Sequence, residues 1–300
     1  MKKRFESKID GWIFLDKPIG LSSNKVLQSV RKIFNNCKAG YVGTLDPLAS
    51  GFLPIAIGNA TKTIRLVEHH TKEYIFTIQW GVKTETGDLE GKIIEKKNVF
   101  PSKNEILEKL KNFVGQIYQI PPKYSSKKIN GQRAYKLVRS NKKFSIEGNN
   151  VNIKRFVLKK SISKHKAEFL VECSTGTYVR SLAEDLANSL DTVGTISSLR
   201  RTKFSNFNKK LISLDYLLSL MHSEKLIYTV EPVNSFFCGV KEINLKKSQL
   251  NLILNGCSVK TDKFFEKQNE LAFAKFANKI VAFGYLLEKN FYPKRILRAI

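Results

Sequence analysis

The stretch between residues 167 and 190 constrains the fold most, because its apolar pattern changes period part-way along. Its first half alternates, with Phe169, Val171 and Cys173 on one side, as expected of a half-buried strand. Gly176 then supplies a turn, and the apolar residues beyond it recur at the spacing of a helix face. Those residues are Val179, Leu182, Ala183, Leu186, Ala187 and Leu190. A strand that leads directly into an amphipathic helix predicts a fold in which helices pack against a sheet.

The rest of the chain continues this mixture. Residues 12–15 and 73–80 have the pattern of strands, and residues 23–34 and 101–115 have that of helices. We therefore predict a first domain of packed strands and helices over residues 1–232. Short alternating runs separated by polar turns predict a small β-rich domain over residues 233–300.

The charge of the chain points to a polyanionic partner. It carries 52 lysine and arginine residues against 26 acidic ones, a formal net charge of +26 over 300 residues. Such an excess is typical of proteins that bind nucleic acid or an acidic membrane surface; the alternative is a lysine-rich surface that is simply solvated. No apolar run approaches the ~18 residues that a membrane-spanning helix needs, and the segment up to Pro18 does not have the pattern of a signal peptide.

The sequence shows no motif for a metal or an organic cofactor. The four cysteines, Cys37, Cys173, Cys238 and Cys257, are far apart and share no ligand spacing with the four histidines. They are typical of the reduced thiols of a cytoplasmic protein. No glycine-rich dinucleotide-binding motif and no complete phosphate-binding loop is present. We therefore expect any catalysis to use carboxylates, tyrosines and basic groups, with no metal and no cofactor.

A basic segment rich in tyrosine, residues 119–144, lies within a predicted helical insertion over about 119–150. Eight of its residues are lysine or arginine, and basic groups interleaved with aromatic rings suit phosphate contacts and base stacking. The alternative is an exposed helical hairpin whose charges are solvated. The candidates for contact with RNA are Lys123, Tyr124, Lys127, Lys128 and Arg133, together with Lys17 near the start of the chain.

Asp46 is the first candidate for catalysis. It lies in the sequence Gly-Thr-Leu-Asp-Pro, where Pro47 pushes it toward extended geometry and offers no N–H to its carboxylate. An aspartate so placed can project from a loop, although most Asp-Pro pairs are simply turns.

Arg180 is the second candidate. It falls in the first turn of the predicted helix, where the positive end of the helix dipole disfavours a cation. A carboxylate or phosphate within a site would offset this, and the alternative is a surface pair with Glu184 one turn later.

Several motifs, in order along residues 11–205, resemble the TruB family of tRNA pseudouridine synthases. They are LDKPIGLSS, VGTLDPLASGFLPIAIGNATK, KEYIFTIQWGVKTETGDLEGKI, QIPPKYSSKKINGQRAYKLVR, CSTGTYVRSLAEDL and the Leu-Arg-Arg that ends at Arg201. A set of ordered motifs is far more specific than a single one. The resemblance implies the pseudouridine synthase fold, an α+β fold with a mixed or antiparallel central sheet flanked by helices. It further implies a basic helical insertion and a small β-rich C-terminal domain like the PUA domain of many members. It also implies isomerisation of uridine 55 in the T loop of tRNA to pseudouridine.

The same resemblance implies roles for individual residues. Asp46 matches the catalytic aspartate, whose role is that of a nucleophile at the uracil ring or at the ribose, or else of a base at the sugar, and Arg180 matches an arginine that pairs with it. Tyr74 would stack on the target base and is a candidate for late proton abstraction. The residues that would line the uracil pocket are Tyr178 and Leu199. Tyr41 stands where many members have histidine; a phenol there can donate a hydrogen bond or stack on a base, but it cannot carry a positive charge.

Charge and aromatic rings alone leave other classes of function open. They would suffice for a tRNA-binding or folding module without catalysis, and a basic surface would also suit a membrane-surface protein. Together with the resemblance, they lead us to expect tRNA as the partner, bound through its T stem-loop. We further expect no membrane association and a monomer.

Overall fold

Two separate sheets organise the chain. The computed structural model describes residues 9–67, 70–205, 207 and 210–297, and only the backbone of residues 263–268. In chain order the strands are β1 (Gly11–Lys17), β2 (Ala39–Tyr41), β3 (Ala49–Ile57), β4 (Lys72–Trp80), β5 (Val82–Thr84), β6 (Ile93–Lys96), β7 (Gly115–Gln119), β8 (Lys128–Ile129), β9 (Gln132–Arg133), β10 (Asn149–Ser163), β11 (Lys166–Cys173), β12 (Gly194–Phe204), β13 (Ile212–Ser213), β14 (Lys241–Asn244), β15 (Val259–Phe276) and β16 (Lys279–Ile296). The helices are α1 (Ser23–Ile33), α2 (Ile64–Val67), α3 (Lys103–Leu110), α4 (Ala134–Arg139), α5 (Val179–Ser189), α6 (Leu214–Ser219) and α7 (Lys247–Leu254).

The larger sheet is mixed. Its strands run in the order β13-β1-β3-β12-β4-β11-β10-β7, and β2 pairs with β3. Strand β1 is parallel to β13 and β3 is parallel to β12, whereas the other neighbouring pairs are antiparallel. The second sheet, β14-β15-β16, is separate. The α+β fold with a mixed central sheet and a β-rich C-terminal unit is therefore confirmed.

The apolar periodicity of the sequence explains how the sheet is covered. Tyr74, Phe76, Ile78 and Trp80, alternate residues of β4, are all buried. Helix α5 buries the apolar face predicted for it and packs against β12. Helix α1 begins after Ser22, whose side chain accepts a hydrogen bond from the helix backbone, as an N-cap serine does.

The insertion differs from its prediction. It contains one short helix, α4, and the two-stranded hairpin β8–β9, so the predicted helical insertion is only partly helical, and the alternative of an exposed helical hairpin is wrong. The reason is local, since Asn130 and Gly131 between the strands both have positive φ, 48° and 81°. Asn-Gly with that geometry forms the two-residue turn whose twist matches a β-hairpin.

No helix in the described ranges is both long and apolar enough to span a bilayer.

Candidate active site

Asp46 lies in a short loop between β2 and β3 that is held on both sides. The hydroxyl of Ser23, at the start of α1, accepts a hydrogen bond from the Leu45 N–H and donates one to the Leu45 carbonyl, both at 2.8 Å. On the other side, the Pro47 carbonyl accepts a hydrogen bond from the Gly20 N–H at 2.8 Å. The anchored loop fixes the direction in which the Asp46 side chain points.

Arg180 forms a two-point ion pair with Asp46. Its Nε lies 2.9 Å from Oδ2 and its Nη2 lies 3.2 Å from Oδ1. Its other acceptors are the backbone carbonyls of Thr86 and Tyr124, at 2.7 and 2.9 Å. Glu184, the alternative partner, pairs with Lys83 at 2.6 Å instead. The carboxylate partner expected for the cation at the start of α5 is therefore present.

The protein surrounds this carboxylate with opposing influences. Burial raises the pKa of Asp46 above its usual value, and the nearby charge of Asp88 adds to the rise. Arg180 and Lys17 lower the pKa of Asp46 and so oppose that rise. A partly buried carboxylate keeps its charge best where a guanidinium is hydrogen-bonded to it, so Arg180 is the main group that favours ionised Asp46.

A cleft of about 590 Å³ opens beside the ion pair. The predicted site residues that line it, besides Asp46 and Arg180, are Tyr41, Tyr74, Tyr178 and Leu199. Its basic side chains are Lys72, Lys128, Arg133 and Arg201. The cleft has the size of a small-ligand site, and its lining combines aromatic rings, cations and one paired carboxylate.

A second cleft, of about 740 Å³, shares Asp46 and Arg180 with the first. It is lined by α1, by the loop after β5 and by the basic insertion, which contributes Tyr135 and Arg139. The loop contributes Asp88 and Glu90. Even so, the described part of the chain has no group of three or more histidine, cysteine or acidic side chains arranged to hold a metal.

Comparison with known proteins identifies the family. The model of the TruB family pseudouridylate synthase N-terminal domain matches residues 31–179. A tRNA pseudouridine synthase B of Ehrlichia chaffeensis is 36% identical over 95% of this chain and 98% of its own length.

The chain belongs to the TruB family.

Other relatives and structures agree with this. A tRNA pseudouridine synthase B of Agrobacterium fabrum is 38% identical over 96% of this chain and 94% of its own length. Among solved structures, a chain of an H/ACA RNP bound to a substrate RNA containing 2′-deoxyuridine matches with a TM-score of 0.71 at 21% identity, over 95% of this chain and 84% of that chain. A chain of a Cbf5-Nop10-Gar1 complex matches with a TM-score of 0.71 at 23% identity, over 95% and 84%. At these identities the structures show a shared fold.

Tyr41, the departure from the TruB pattern, lies on β2 and is half-buried. It lines both clefts. Its ring therefore stands at the border between them, where a side chain can stack on a base or donate a hydrogen bond.

The structure separates the candidates for RNA contact into groups. Lys128 and Arg133, on the hairpin β8–β9, are exposed and reach the first cleft. Lys123, which precedes this hairpin in the sequence, is also exposed. Lys127 donates to the Glu147 carbonyl within the insertion. The remaining candidate is Tyr124. Its hydroxyl lies 3.5 Å from the Glu85 carboxylate, and its backbone carbonyl accepts a hydrogen bond from Arg180.

The structure corrects the prediction for Lys17. Its side chain is fully buried, at 0% exposure, so the predicted contact with RNA is wrong. Its Nζ donates to the carbonyls of Pro18 and Leu21 at 2.8 and 2.5 Å, and lies 3.4 Å from that of Pro47. Burial lowers the pKa of Lys17 to about 8. Lys17 supports the Asp46 loop from within because its ammonium is enclosed by backbone carbonyls.

Two site features escaped the sequence analysis. Gln119 is buried, accepts from the Tyr178 N–H at 2.7 Å and donates to the Tyr178 carbonyl at 3.1 Å, which anchors the start of α5. Arg201 is buried beneath the first cleft. The Leu-Arg-Arg motif marked Arg201, but nothing in a local pattern tells a buried arginine from an exposed one.

Proposed function

We propose that this chain isomerises uridine 55 in the T loop of tRNA to pseudouridine, with Asp46 as the nucleophile. The observation that carries this proposal is the two-point ion pair between Asp46 and Arg180 beside a cleft lined by tyrosines. The relatives named tRNA pseudouridine synthase B support the reaction and the substrate class.

The reaction exchanges one bond to the ribose for another. The bond between uracil N1 and ribose C1′ breaks, the base turns, C5 bonds to C1′, and the hydrogen on C5 leaves as a proton. No electrons are gained or lost overall, so the reaction needs no redox partner. Asp46 supplies the nucleophile, at the uracil ring or at the ribose, and Arg180 keeps its carboxylate charged and aimed.

The RNA has to present the uridine outside its folded loop. Flipping a base out of a stack costs a few kcal/mol, and phosphate contacts offset it. We assign those contacts to Lys123, Lys128 and Arg133 in the basic insertion. Tyr74 stacks on the flipped base.

The remaining assignments belong to the same proposal. Tyr178 and Leu199 line the uracil pocket. The catalytic domain covers residues 1–232, and residues 233–300 form a domain that binds RNA. The protein acts as a monomer in the cytoplasm.

The test is release of tritium from a tRNA transcript whose uridines carry tritium at C5. We expect Asp46→Asn to abolish release, because the amide is no nucleophile, while tRNA binding stays near that of the unchanged protein. The control is Asp262→Asn, whose carboxylate is 85% exposed and which should keep full activity. A transcript with cytidine at position 55 should release no tritium from the enzyme's site.

Full turnover by Asp46→Asn would contradict the assignment of Asp46 as the nucleophile. Tight tRNA binding without any pseudouridine in the product, in the unchanged protein, would instead favour the RNA-binding module.

A further inference from the structure

Arg201, on β12, carries a charge that its immediate partners do not neutralise. Its exposure is 0%. Its guanidinium donates to the carbonyls of Phe52, Gly43 and Val42, at 2.6, 2.9 and 3.4 Å. Among the described residues, no carboxylate lies within ion-pair distance of it. The ring of Phe204 also contacts it, with its centroid 5.6 Å from Cζ of Arg201. A buried cation without a carboxylate partner is costly.

The sheet sets Arg201 opposite Tyr74. The two residues are direct partners in the register between β12 and β4, and cross-strand partners share a face. Both line the first cleft. Gly43 allows the guanidinium to approach, since a Cβ on Gly43 would lie 2.9 Å from Nη1 of Arg201.

Arg201 is the charge that favours ionisation of the Tyr74 phenol. Burial raises the pKa of Tyr74, whereas the positive charge of Arg201 lowers that pKa. Cys173 on β11 and Asp46 in its loop act in the opposite direction and raise it. Lys72, on β4 itself, donates to the hydroxyl of Thr175 at 2.9 Å.

We propose that Arg201 is a positioning residue that holds Tyr74 as the base that removes the C5 proton after the base has rejoined the ribose. The inference rests on the proposed function. In the step, the C5–H bond breaks, its electron pair restores the C5=C6 double bond, and the proton passes to the Tyr74 oxygen. If Asp46 attacks the ribose, the displaced electron pair moves to the ring nitrogen that the ribose has left. If Asp46 forms an adduct at C6, the electron pair of the bond to C6 leaves with the Asp46 carboxylate. That nitrogen ends protonated from water.

The same guanidinium also fixes the approach to Asp46. Its bonds to Val42 and Gly43 hold the residues that lead into the Asp46 loop. Arg201 therefore links the position of the nucleophile to that of the base, which a surface arginine could not do.

The test compares Arg201→Lys and Arg201→Met on tRNA transcripts with hydrogen or deuterium at uridine C5. We expect kcat to fall roughly tenfold or more, equivalent to at least ~1.4 kcal/mol of barrier, while KM for tRNA changes little. Proton removal then limits turnover, so the deuterium isotope effect on kcat rises above that of the unchanged protein.

The pH profile adds a readout that a structural role would not move. A base must be ionised to act, and loss of the cation raises its pKa, so the ascending limb of kcat moves to higher pH in Arg201→Met. The matched control is the neighbouring Arg200→Met, which removes an exposed pair with Asp16 and should leave isotope effect and pH profile unchanged.

A second variant keeps the proposal testable if Arg201→Met fails to fold. Tyr74→Phe should slow tritium release strongly, and adding Arg201→Lys to it should slow release little further, because the two act in one step. Release at the full rate by Tyr74→Phe overturns the inference, as does a slower Arg201→Lys whose isotope effect is unchanged. Neither result contradicts the proposed function. The proposed function fails only if Asp46→Asn remains active or if the unchanged protein forms no pseudouridine.

Discussion

At the scale of single residues, the site depends on charged side chains that the protein shields from solvent. Arg180 is 6% exposed and its partner Asp46 is 34% exposed, so the protein encloses the cation and leaves the carboxylate accessible from the clefts. Spacing in the sequence predicted that Arg180 needed an anion. Spacing could not select Asp46, because the two residues are 134 positions apart; only the resemblance to the TruB family paired them before the fold was known.

Arg180→Met should weaken the reaction most at low pH. Burial raises the pKa of Asp46 and Arg180 opposes that rise, so loss of the cation raises the pKa further. Because the nucleophile must be ionised, the ascending limb of kcat/KM should move to higher pH, and the rate near neutrality should fall roughly tenfold or more. Tritium release between about pH 5 and about pH 9 measures it. An unchanged ascending limb would mean that Arg180 does not set the ionisation of Asp46.

At the scale of elements, the Asp46 loop is held from three directions. Ser23 at the start of α1, the turn after β1 with Lys17 beneath it, and Arg201 on β12 each contact its backbone. The strands and helices that supply these contacts were predictable, because apolar periodicity is a local property. Their pairing was not, which is why Lys17 reads as a surface lysine in the sequence and is buried in the structure.

Gly43→Ala tests how closely this loop has to fit. Gly43 has φ +67°, and a Cβ would meet Nη1 of Arg201 at 2.9 Å, so the substitution both strains the backbone and displaces the loop. We expect kcat to fall by roughly 10²-fold, the effect of a misplacement of about 1 Å. Gly239→Ala is the control, with φ +79° but no atom within 4 Å of the added Cβ. Equal effects of the two substitutions on tritium release would argue against a role for the close approach.

At the scale of the whole molecule, aromatic rings join the two sheets. Phe236 packs on Trp12 and Phe14 of β1, with ring centroids 4.8 and 5.1 Å apart. The next residue, Phe237, packs on Phe283 of β16 at 4.4 Å. The junction near residue 233 is thus a shared core, which favours one cooperative unit over two independent ones.

Phe236→Ala should lower the free energy of unfolding by about 3–5 kcal/mol, since it opens a cavity in a buried cluster. Unfolding in denaturant, followed by circular dichroism, measures this, and the unchanged protein should show a single transition. Tyr228→Ala is the control, because the Tyr228 side chain is 86% exposed and its loss should change stability by less than about 0.5 kcal/mol. Two separate transitions in the unchanged protein would contradict the shared core.

The sequence by itself determined the strands β1, β4 and β11, the helices α1, α3 and α5, the fold class and the family resemblance, and it pointed to most residues of the candidate site. It did so because periodicity and ordered motifs are properties of neighbouring residues. The tertiary structure decided the two-point geometry of the pair between Arg180 and Asp46, the burial of Lys17, the role of Gln119 and the position of Arg201 against Tyr74. Each of these depends on which strands pair and in what register, and the free energy of a buried charge depends on those distant neighbours.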